Sequence, residues 1–477
     1  MIKFGTGGFR GIIGDDFTKE NIQLCAQGLA EIALTSPFVK PIIVGYDNRF
    51  MSDWAAKWFS EVLAANGVRV FLFKAPVPTP AVMSATRDMR HDFGVMITAS
   101  HNPYYFNGVK LFLEQGFDAD VAFTDKLEKV ISKVKKVKSM PLTEAKWEWL
   151  VQDFSNTDIY LSHIKTFISP RIKNNNAKIL YDNMCGVGVV GLGPISQEFN
   201  ISQFDIVHAE HDAFFSFNLP NPTEVALSGD FRTKVLEGHY DVGLATDSDG
   251  DRLGVIDELG NYVSNNEILA ALYLYLVKNK GMKGDIVKNC ATSILVDKVA
   301  TKLGFTCHEV DVGFKNITSK MSETDALIGG ESSGGLTVRG YLFGKDSVFS
   351  SSLFMEMMII LNQPVSKIIQ SVRDFADYHY AFLEDSLAFS IESEPLIEYI
   401  TNHQPTFSRS LLRTEHYGRN FKFYFENDCW MLIRLSGTEP TFRIFAEMES
   451  DQEAVKCIRE LKDFLEDIET IIEGGIK

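Results

Sequence analysis

The feature that most constrains the fold is an alternation of strands and helices that recurs along the chain. The apolar runs PIIVGYD (residues 41–47) and RVFLFKA (69–75) flank an amphipathic segment, SDWAAKWFSEVLAANG, and the apolar run FGVMI follows. This order is typical of βαβ units, in which crossover helices connect the strands of a mostly parallel sheet. Similar series recur at residues 177–246 and 284–329. We therefore predict three successive α/β units.

The last hundred residues follow a different pattern. FKFYFEN and CWMLIRLSGTEPTFRIFAEME are typical of antiparallel strands, and DQEAVKCIRELKDFLEDIETII is typical of a closing helix. We predict an α/β fold class with four domains. Three successive α/β mixed-sheet domains span residues 1–153, 154–259 and 260–373, and an α+β domain with an antiparallel sheet and helices spans 374–477.

Charge and cysteine usage exclude several classes of function. The net charge of −16 over 477 residues argues against a nucleic-acid partner, which would need a broad basic face. The six cysteines contain no C-x-x-C pair, so we expect free thiols in a reducing cytoplasm. The first residues have no apolar core typical of a signal peptide, and the longest apolar run, ILAALYLYLV, spans residues 268–277. Because a membrane-spanning helix needs about 20 such residues, we expect a buried helix there and a cytoplasmic protein.

The stretch VMITASHNPYYFNGVK joins a buried strand to a polar cluster. A capped turn is the more common explanation for an isolated Ser-His pair at such a place. Ligands, however, usually bind at the carboxyl ends of strands in open α/β sheets, which is where Ser100 is expected. Asn107-Gly108 predicts a tight hairpin turn that returns Lys110 towards the serine.

The segment ATDSDGDR carries three alternating carboxylates, Asp247, Asp249 and Asp251. In an extended loop they converge on one side, where a hard cation such as Mg²⁺ or Mn²⁺ offsets their repulsion. A solvated acidic turn is the alternative. An EF-hand is rejected because Arg252 occupies the sixth position, where glycine is required, and because the segment follows a strand.

Two further segments carry polar groups in glycine-containing loops. GGESSGG (residues 329–335) presents a carboxylate and hydroxyls that suit a polyhydroxylated ligand, although plain turns often have this composition. RLSGTEPTFR (434–443) combines backbone N–H groups, hydroxyls and two arginines, a set that suits a phosphate. A polar hairpin turn with solvated arginines is the alternative for this second segment.

Together these segments indicate phosphoryl transfer on a sugar phosphate. TASHNP, DSDGDR, GESSGG and RLSGTEPTFR occur in this order, one in each predicted domain. In this respect the chain resembles, over essentially its whole length, the α-D-phosphohexomutase family of phosphoglucomutases and phosphomannomutases. GTGGFRG, GYDNR, NGVK, PNP, VGFK and GKD are secondary matches.

The resemblance implies that Ser100 carries a phosphoryl group and that Asp247, Asp249, Asp251 and a phosphoserine oxygen bind Mg²⁺. It implies interconversion of hexose 1-phosphate and hexose 6-phosphate through a bisphosphorylated sugar, with glucose 1,6-bisphosphate or an equivalent as activator. The implied catalytic residues are Ser100, His101, Lys110, Arg10 and Arg252. The implied substrate-binding residues are Glu331, Ser333, Lys315, Lys345, Arg434, Ser436, Gly437, Thr438 and Arg443.

A proton-transfer role for Lys110 requires a pKa well below the unperturbed value of about 10.4. We expect surrounding cations to lower it; otherwise Lys110 holds the phosphate. Gly335 follows Gly334 where the bifunctional and glucosamine branches tend to have histidine, so glucose is favoured, with mannose possible. Phosphoglucosamine mutase and phosphopentomutase remain alternatives within the family.

Two other classes of function remain open. A phosphatase would pass the phosphoryl group to water, and a non-enzymatic sugar-phosphate-binding paralogue would keep only the fold. The paralogue predicts loss of the serine, a metal carboxylate or an arginine of the phosphate segment, but all are present. The expected partner is a small phosphosugar, with no nucleic acid or membrane, and the chain is expected to be a monomer or a homodimer.

Overall fold

The computed structural model describes residues 2–5, 8–173, 175–391, 393–435 and 441–475. The chain divides into two compact units. The first comprises Met1–Lys283 with Leu327–Gln370, and the second comprises Gly284–Ala326 with Ser371–Lys477.

The first domain contains a seven-stranded mixed sheet in the order β1-β2-β6-β5-β3-β4-β7. Strands β3, β4, β5 and β7 are parallel, whereas β6 and β2 form an antiparallel extension. The strands are Phe4–Gly5 (β1), Gly8–Ile12 (β2), Ile42–Tyr46 (β3), Val70–Phe73 (β4), Phe93–Ile97 (β5), Phe106–Leu113 (β6) and Val151–Phe154 (β7). The helices are Lys19–Ala33 (α1), Ser52–Ala65 (α2), Thr79–Asp88 (α3), Val121–Ile131 (α4) and Leu142–Trp147 (α5).

The predicted tight turn at Asn107-Gly108 is wrong, because both residues lie inside β6. Strands β5 and β6 do pair in an antiparallel hairpin, with Met96 opposite Lys110, but residues 98–105 connect them. Glycine is needed at 108 for close approach of neighbouring backbone. A Cβ there would lie 2.2 Å from the carbonyl oxygen of Phe9 on β2.

The second domain contains a five-stranded mixed sheet in the order β12-β11-β10-β8-β9. Its strands are Lys178–Asp182 (β8), Gln203–Val207 (β9), Val242–Thr246 (β10), Leu253–Asp257 (β11) and Tyr262–Val263 (β12). Its helices are Thr157–Phe167 (α6), Val189–Glu198 (α7), Glu224–Leu227 (α8) and Asp230–Glu237 (α9). The predicted metal segment connects β10 to its antiparallel neighbour β11.

The third domain contributes one strand pair to each compact unit. In the second unit Ile286–Asn289 (β13) is parallel to Cys307–Val310 (β14), and in the first unit Ile328–Gly330 (β15) is antiparallel to Leu336–Val338 (β16). The helices are Asn265–Lys278 (α10), Leu295–Leu303 (α11), Phe314–Thr324 (α12), Ser347–Leu361 (α13) and Val365–Ala376 (α14). The expected buried helix is α10, in which Leu269, Leu272 and Leu276 are at most 1% exposed.

Among the described residues, no single helix is long and apolar enough to cross a membrane. Helices α13 and α14 together have sufficient length and apolar composition, but they are bent by 89° relative to each other.

The fourth domain is a five-stranded antiparallel sheet in the order β17-β21-β20-β19-β18. The elements are Ala381–Ala388 (β17), Ser393–Asn402 (α15), Leu411–Tyr417 (β18), Asn420–Phe425 (β19), Trp430–Leu435 (β20), Thr441–Met448 (β21) and Asp451–Gly475 (α16). Buried polar contacts join this sheet to β14 and α11 within the second unit. Lys422 Nζ donates to Glu309 at 2.7 Å, and Glu447 accepts from the Ile294 backbone N–H at 2.9 Å.

Candidate active site

Ser100 lies in the loop between β5 and β6, residues 98–105, which we call the serine loop. The residue is only 2% exposed, and its φ of 51° places the backbone in the left-handed region. The Thr98 hydroxyl accepts the backbone N–H of Ser100 at 2.8 Å. Ser100 Oγ lies 3.2 Å from Asp247 Oδ2. The fold therefore brings the serine to the carboxylate segment of the second domain.

The metal loop, residues 247–252, buries three carboxylates within one small volume. Candidate ligand atoms of Asp247, Asp249 and Asp251 all lie within 4.8 Å of one another. Burial and the two neighbouring carboxylates raise the pKa of Asp247 well above its usual range. The buried Oδ1 atoms of Asp249 and Asp251 have no hydrogen-bond partner among the described residues. Such a set of uncompensated oxygens fits a hard divalent cation such as Mg²⁺.

Lys110 reaches the metal loop from β6. Its Nζ donates to Asp249 Oδ2 at 2.7 Å and to Asp251 Oδ2 at 3.0 Å. The expectation that neighbouring cations lower its pKa is wrong. Burial does disfavour the ammonium, but the two carboxylates outweigh burial and raise the pKa of Lys110. In this arrangement the side chain is a cation.

Two arginines flank the serine and the metal loop. Arg10 on β2 donates to Asn102 Oδ1 at 2.6 Å, and Arg252 donates to Asn221 Oδ1 at 3.2 Å. The Nε of each arginine is buried without an acceptor among the described residues. Burial, together with the neighbouring Arg252, lowers the pKa of Arg10. Unsatisfied guanidinium donors of this kind suit phosphate oxygens.

His101 lies beside the serine, with Nδ1 3.3 Å from Ser100 Oγ. Burial and the positive charges of Arg252 and Arg10 lower the pKa of His101 well below its usual value. The imidazole is therefore neutral at pH 7 and can exchange a hydrogen bond with the serine hydroxyl.

The sugar loop, residues 329–335, comprises the end of β15 and the turn that leads to β16 in the first unit. Ser333 Oγ donates to Glu331 Oε1 at 2.8 Å. Lys345 Nζ lies 3.7 Å from that same carboxylate oxygen and 3.6 Å from Asp251 Oδ2. Lys345 thus connects the sugar loop to the metal loop. Its stem lies against Gly335, where an added Cβ would be 2.0 Å from Lys345 Cδ.

The remaining predicted substrate residues belong to the second unit. Lys315 lies in the first turn of α12, and Arg434 on β20 is directly opposite Arg443 on β21. Arg443 also forms a 3.2 Å ion pair with Glu384. The other three predicted members of this phosphate segment, Ser436, Gly437 and Thr438, lie outside the described residues.

Thr79 and Ser248 also support the site, although the sequence did not indicate a function for either residue. Thr79, at the start of α3, donates from Oγ1 to Asp249 Oδ2 at 2.7 Å and from its backbone N–H to the Asp249 carbonyl at 2.9 Å. Ser248 donates from its hydroxyl to the carbonyl oxygen of Ser100. Thr79 could have been noticed in the sequence as a hydroxyl residue at the start of a helix that follows a parallel strand. Its partner Asp249, however, lies 170 residues further along the chain, so the sequence does not indicate the contact.

Comparison with known proteins gives matches along most of the chain. Domain models of phosphoglucomutase/phosphomannomutase match residues 1–138 (alpha/beta/alpha domain I), 158–260 (domain II) and 264–375 (domain III). A phosphoglucosamine mutase of Nautilia profundicola is 29% identical, over 97% of this chain and 99% of that protein. A phosphoglucomutase/phosphomannomutase of Thermococcus kodakarensis is 26% identical, over 94% of this chain and 95% of that protein.

Solved structures show the same architecture. The crystal structure of a putative phosphomannomutase from Thermus thermophilus superposes with a TM-score of 0.83 at 25% identity, covering 98% of this chain and 99% of that one. The predicted four-domain α/β fold, with three mixed-sheet domains and a C-terminal antiparallel domain, is confirmed. The chain therefore belongs to the phosphoglucomutase/phosphomannomutase family of α-D-phosphohexomutases and is an intramolecular phosphotransferase.

Proposed function

We propose that the protein interconverts the 1-phosphate and the 6-phosphate of a hexose, glucose first and mannose second, through a phosphoserine at Ser100. One observation carries the proposal: the buried Ser100 Oγ lies 3.2 Å from Asp247 within a cluster of three buried carboxylates. Three carboxylates alone would repel a phosphoryl group on the neighbouring serine. The cations Lys110, Arg10 and Arg252 offset that repulsion, and a divalent cation held by the carboxylates would reduce it further.

Asp247, Asp249 and Asp251 are the residues that would hold Mg²⁺. When bound, Mg²⁺ would offset negative charge on the transferring phosphoryl group. The uncompensated Oδ1 atoms of Asp249 and Asp251 support this assignment. Glucose 1,6-bisphosphate, or an equivalent hexose bisphosphate, would phosphorylate Ser100 before the first turnover.

The reaction then consists of two balanced transfers. In the first, the bond between Ser100 Oγ and phosphorus breaks, a bond forms between phosphorus and O6 of glucose 1-phosphate, and the proton that leaves O6 is replaced by one taken up at Ser100 Oγ. In the second, the bond between O1 of the bisphosphate and phosphorus breaks, phosphorus bonds to Ser100 Oγ, and the proton lost from the serine hydroxyl is replaced by one taken up at O1. His101, neutral and 3.3 Å from Oγ, is placed to hydrogen-bond the leaving serine oxygen. We assign Lys110 to charge stabilisation, because it is paired with two carboxylates.

Substrate recognition is assigned to two sets of residues. We infer that Glu331 and Ser333 bind sugar hydroxyls and that Lys345 lies beside them. The non-transferred phosphate is assigned to the residues Lys315, Arg434, Ser436, Gly437, Thr438 and Arg443. Gly335 stands where the glucosamine branch tends to have histidine, and this difference supports glucose or mannose as the sugar. A larger residue there would also displace Lys345 from the loop.

Phosphoglucosamine mutase activity is the second candidate. The names of several relatives favour it, including phosphoglucosamine mutases of Nautilia profundicola, Finegoldia magna and Pasteurella multocida at 26–29% identity. Ribose 1-phosphate remains a third substrate within the same chemistry.

The test is a comparison of kcat/KM for glucose, mannose, glucosamine and ribose 1-phosphates, with Mg²⁺ and a trace of the matching bisphosphate. Product is followed by ³¹P NMR, which detects every isomer and free phosphate in one spectrum. We expect glucose 1-phosphate to give the highest value. A higher value for glucosamine 1-phosphate would establish the second candidate, and phosphate release exceeding isomer formation would indicate a phosphatase.

A further inference from the structure

Arg49, in the segment after β3, is completely buried against the backbone of the serine loop. Its Nη1 donates to the carbonyl oxygens of Pro103 at 2.9 Å and Phe106 at 3.1 Å. Its Nη2 donates to the carbonyl oxygens of Asn102, at 2.5 Å, and of Ser100. One planar guanidinium therefore binds four carbonyl groups between Ser100 and the start of β6.

Asp47 holds this guanidinium from the other side. Its Oδ2 lies 3.5 Å from Arg49 Nε, and its Oδ1 accepts the Arg49 backbone N–H at 3.0 Å. Asp47 also accepts hydroxyl hydrogen bonds from Thr98 at 2.6 Å and Ser52 at 2.7 Å. Because Thr98 belongs to the serine loop, Asp47 and Arg49 fix both ends of the segment that contains Ser100.

The second domain covers the arginine with an aromatic ring. The ring centroid of the buried Phe215 lies 4.9 Å from Arg49 Cζ. Phe215, Ser216 and Phe217 have consecutive positive φ values of 51°, 50° and 59°. Such conformations persist in non-glycine residues only where surrounding contacts impose them. Here the Asp212 carboxylate accepts the backbone N–H groups of Phe214 at 2.9 Å and Ser216 at 2.6 Å.

Ser100 itself has a positive φ, a conformation that a free loop would rarely keep. In-line phosphoryl transfer depends on the position of the serine oxygen, and a displacement of about 1 Å is enough to lower a rate by about 100-fold. We propose that Arg49 is a positioning residue for the reaction of Ser100. It acts through the carbonyl groups of the serine loop, keeps Oγ directed at Asp247, and is shielded from water by Phe215. This inference rests on the proposed function.

The test compares Arg49→Lys with Arg87→Lys. Arg87 is a matched control, because its guanidinium also donates to a backbone carbonyl, that of Tyr341 at 2.7 Å, but away from Ser100. A lysine ammonium has three donors on one atom and cannot reproduce a planar fork that reaches four carbonyls. We expect Arg49→Lys to lower kcat about 100-fold while KM changes less than threefold. Arg87→Lys should change neither value more than threefold.

A second variant and a second measurement separate positioning from folding. Arg49→Ala should regain activity, at least tenfold, when methylguanidine is added, and Phe215→Leu should lower kcat less than Arg49→Lys does. Hydrogen exchange of the serine-loop amides should accelerate in Arg49→Lys and not in Arg87→Lys.

Retention of kcat in Arg49→Lys, or unchanged hydrogen exchange of the serine loop, would overturn the inference. Absence of mutase activity in the wild-type protein would instead contradict the proposed function. Hydrogen exchange in Arg49→Lys would still show whether Arg49 holds the serine loop.

Discussion

The contact between Gly335 and Lys345 gives the most specific prediction about substrate binding. An alanine Cβ at 335 would lie 2.0 Å from Lys345 Cδ and 2.5 Å from Cγ. Carbon atoms in ordinary contact are about 3.5 Å apart, so the lysine stem must move by about 1.5 Å. Its Nζ already lies 3.6 Å from Asp251 and 3.7 Å from Glu331, so a movement of this size away from the loop breaks both ion pairs.

The expected cost follows from the loss of these charged contacts. The two ion pairs hold Lys345 at the sugar loop, where we assign it to substrate binding. A hydrogen bond from such a charged group to the substrate contributes about 1.5–3 kcal/mol, which corresponds to a loss of kcat/KM of about 10- to 100-fold when the group is displaced. We expect Gly335→Ala to show this loss with glucose 1-phosphate. Gly193→Ala is the matched control, because a Cβ at 193 meets only Val189 Cγ2, at 3.9 Å. That variant should keep wild-type kinetics.

A double-mutant cycle decides whether Lys345 transmits the effect. Lys345→Ala alone should lower kcat/KM by a similar factor, and Gly335→Ala should add little in that background, because the group it displaces is already absent. Equal losses from Gly335→Ala in the presence and in the absence of the Lys345 side chain would refute the reasoning. So would unchanged kcat/KM in the Gly335→Ala variant.

Three further predictions concern the groups around the site. Thr79→Val removes the hydroxyl that donates to Asp249 and should raise the Mg²⁺ concentration for half-maximal activity about tenfold. An unchanged value in a Mg²⁺ titration would show that Thr79 does not support the metal site. Glu331→Gln removes the acceptor charge in the sugar loop and should raise KM for glucose 1-phosphate about tenfold, with a smaller effect on kcat. Burial raises the pKa of Asp346 to about 6 in the folded protein. The protonated carboxyl therefore adds to the free energy of unfolding below about pH 4, and this contribution is lost as the pH rises through about 6. In Asp346→Asn the free energy of unfolding should lose this part of its difference between pH 4 and pH 7, of order 3 kcal/mol.

Much of the α/β framework was predictable from local sequence. PIIVGYD corresponds to β3, Ile42–Tyr46, because a continuous apolar run bounded by polar residues fits a strand buried on both faces. The start of α2 was not predictable in this way, because its N-cap is Met51, with a φ of 64° and no side-chain cap hydrogen bond. Short edge strands such as β12 carry too few residues for a periodic signal.

The site was predictable as a set of residue types but not as a set of contacts. Asp247, Asp249 and Asp251 alternate in sequence, so their convergence follows from local geometry. The partners of Lys110 lie about 140 residues away, and no local pattern states whether cations or carboxylates surround it. Thr79 escaped for the same reason, because its contact with Asp249 forms only when distant elements meet. Arg49 belongs to the secondary match GYDNR, but its contacts with the serine loop have no local signal either.

The central claim is that Ser100 carries the phosphoryl group between the two positions of the sugar. The most direct measurement incubates the wild-type protein and Ser100→Ala with ³²P-labelled glucose 1,6-bisphosphate, then adds glucose 1-phosphate. We predict label on Ser100 of the wild-type protein, its transfer to sugar phosphate on addition of substrate, and formation of glucose 6-phosphate, with none of these in Ser100→Ala. Full turnover by Ser100→Ala, or turnover by the wild-type protein without label on Ser100, would contradict the claim.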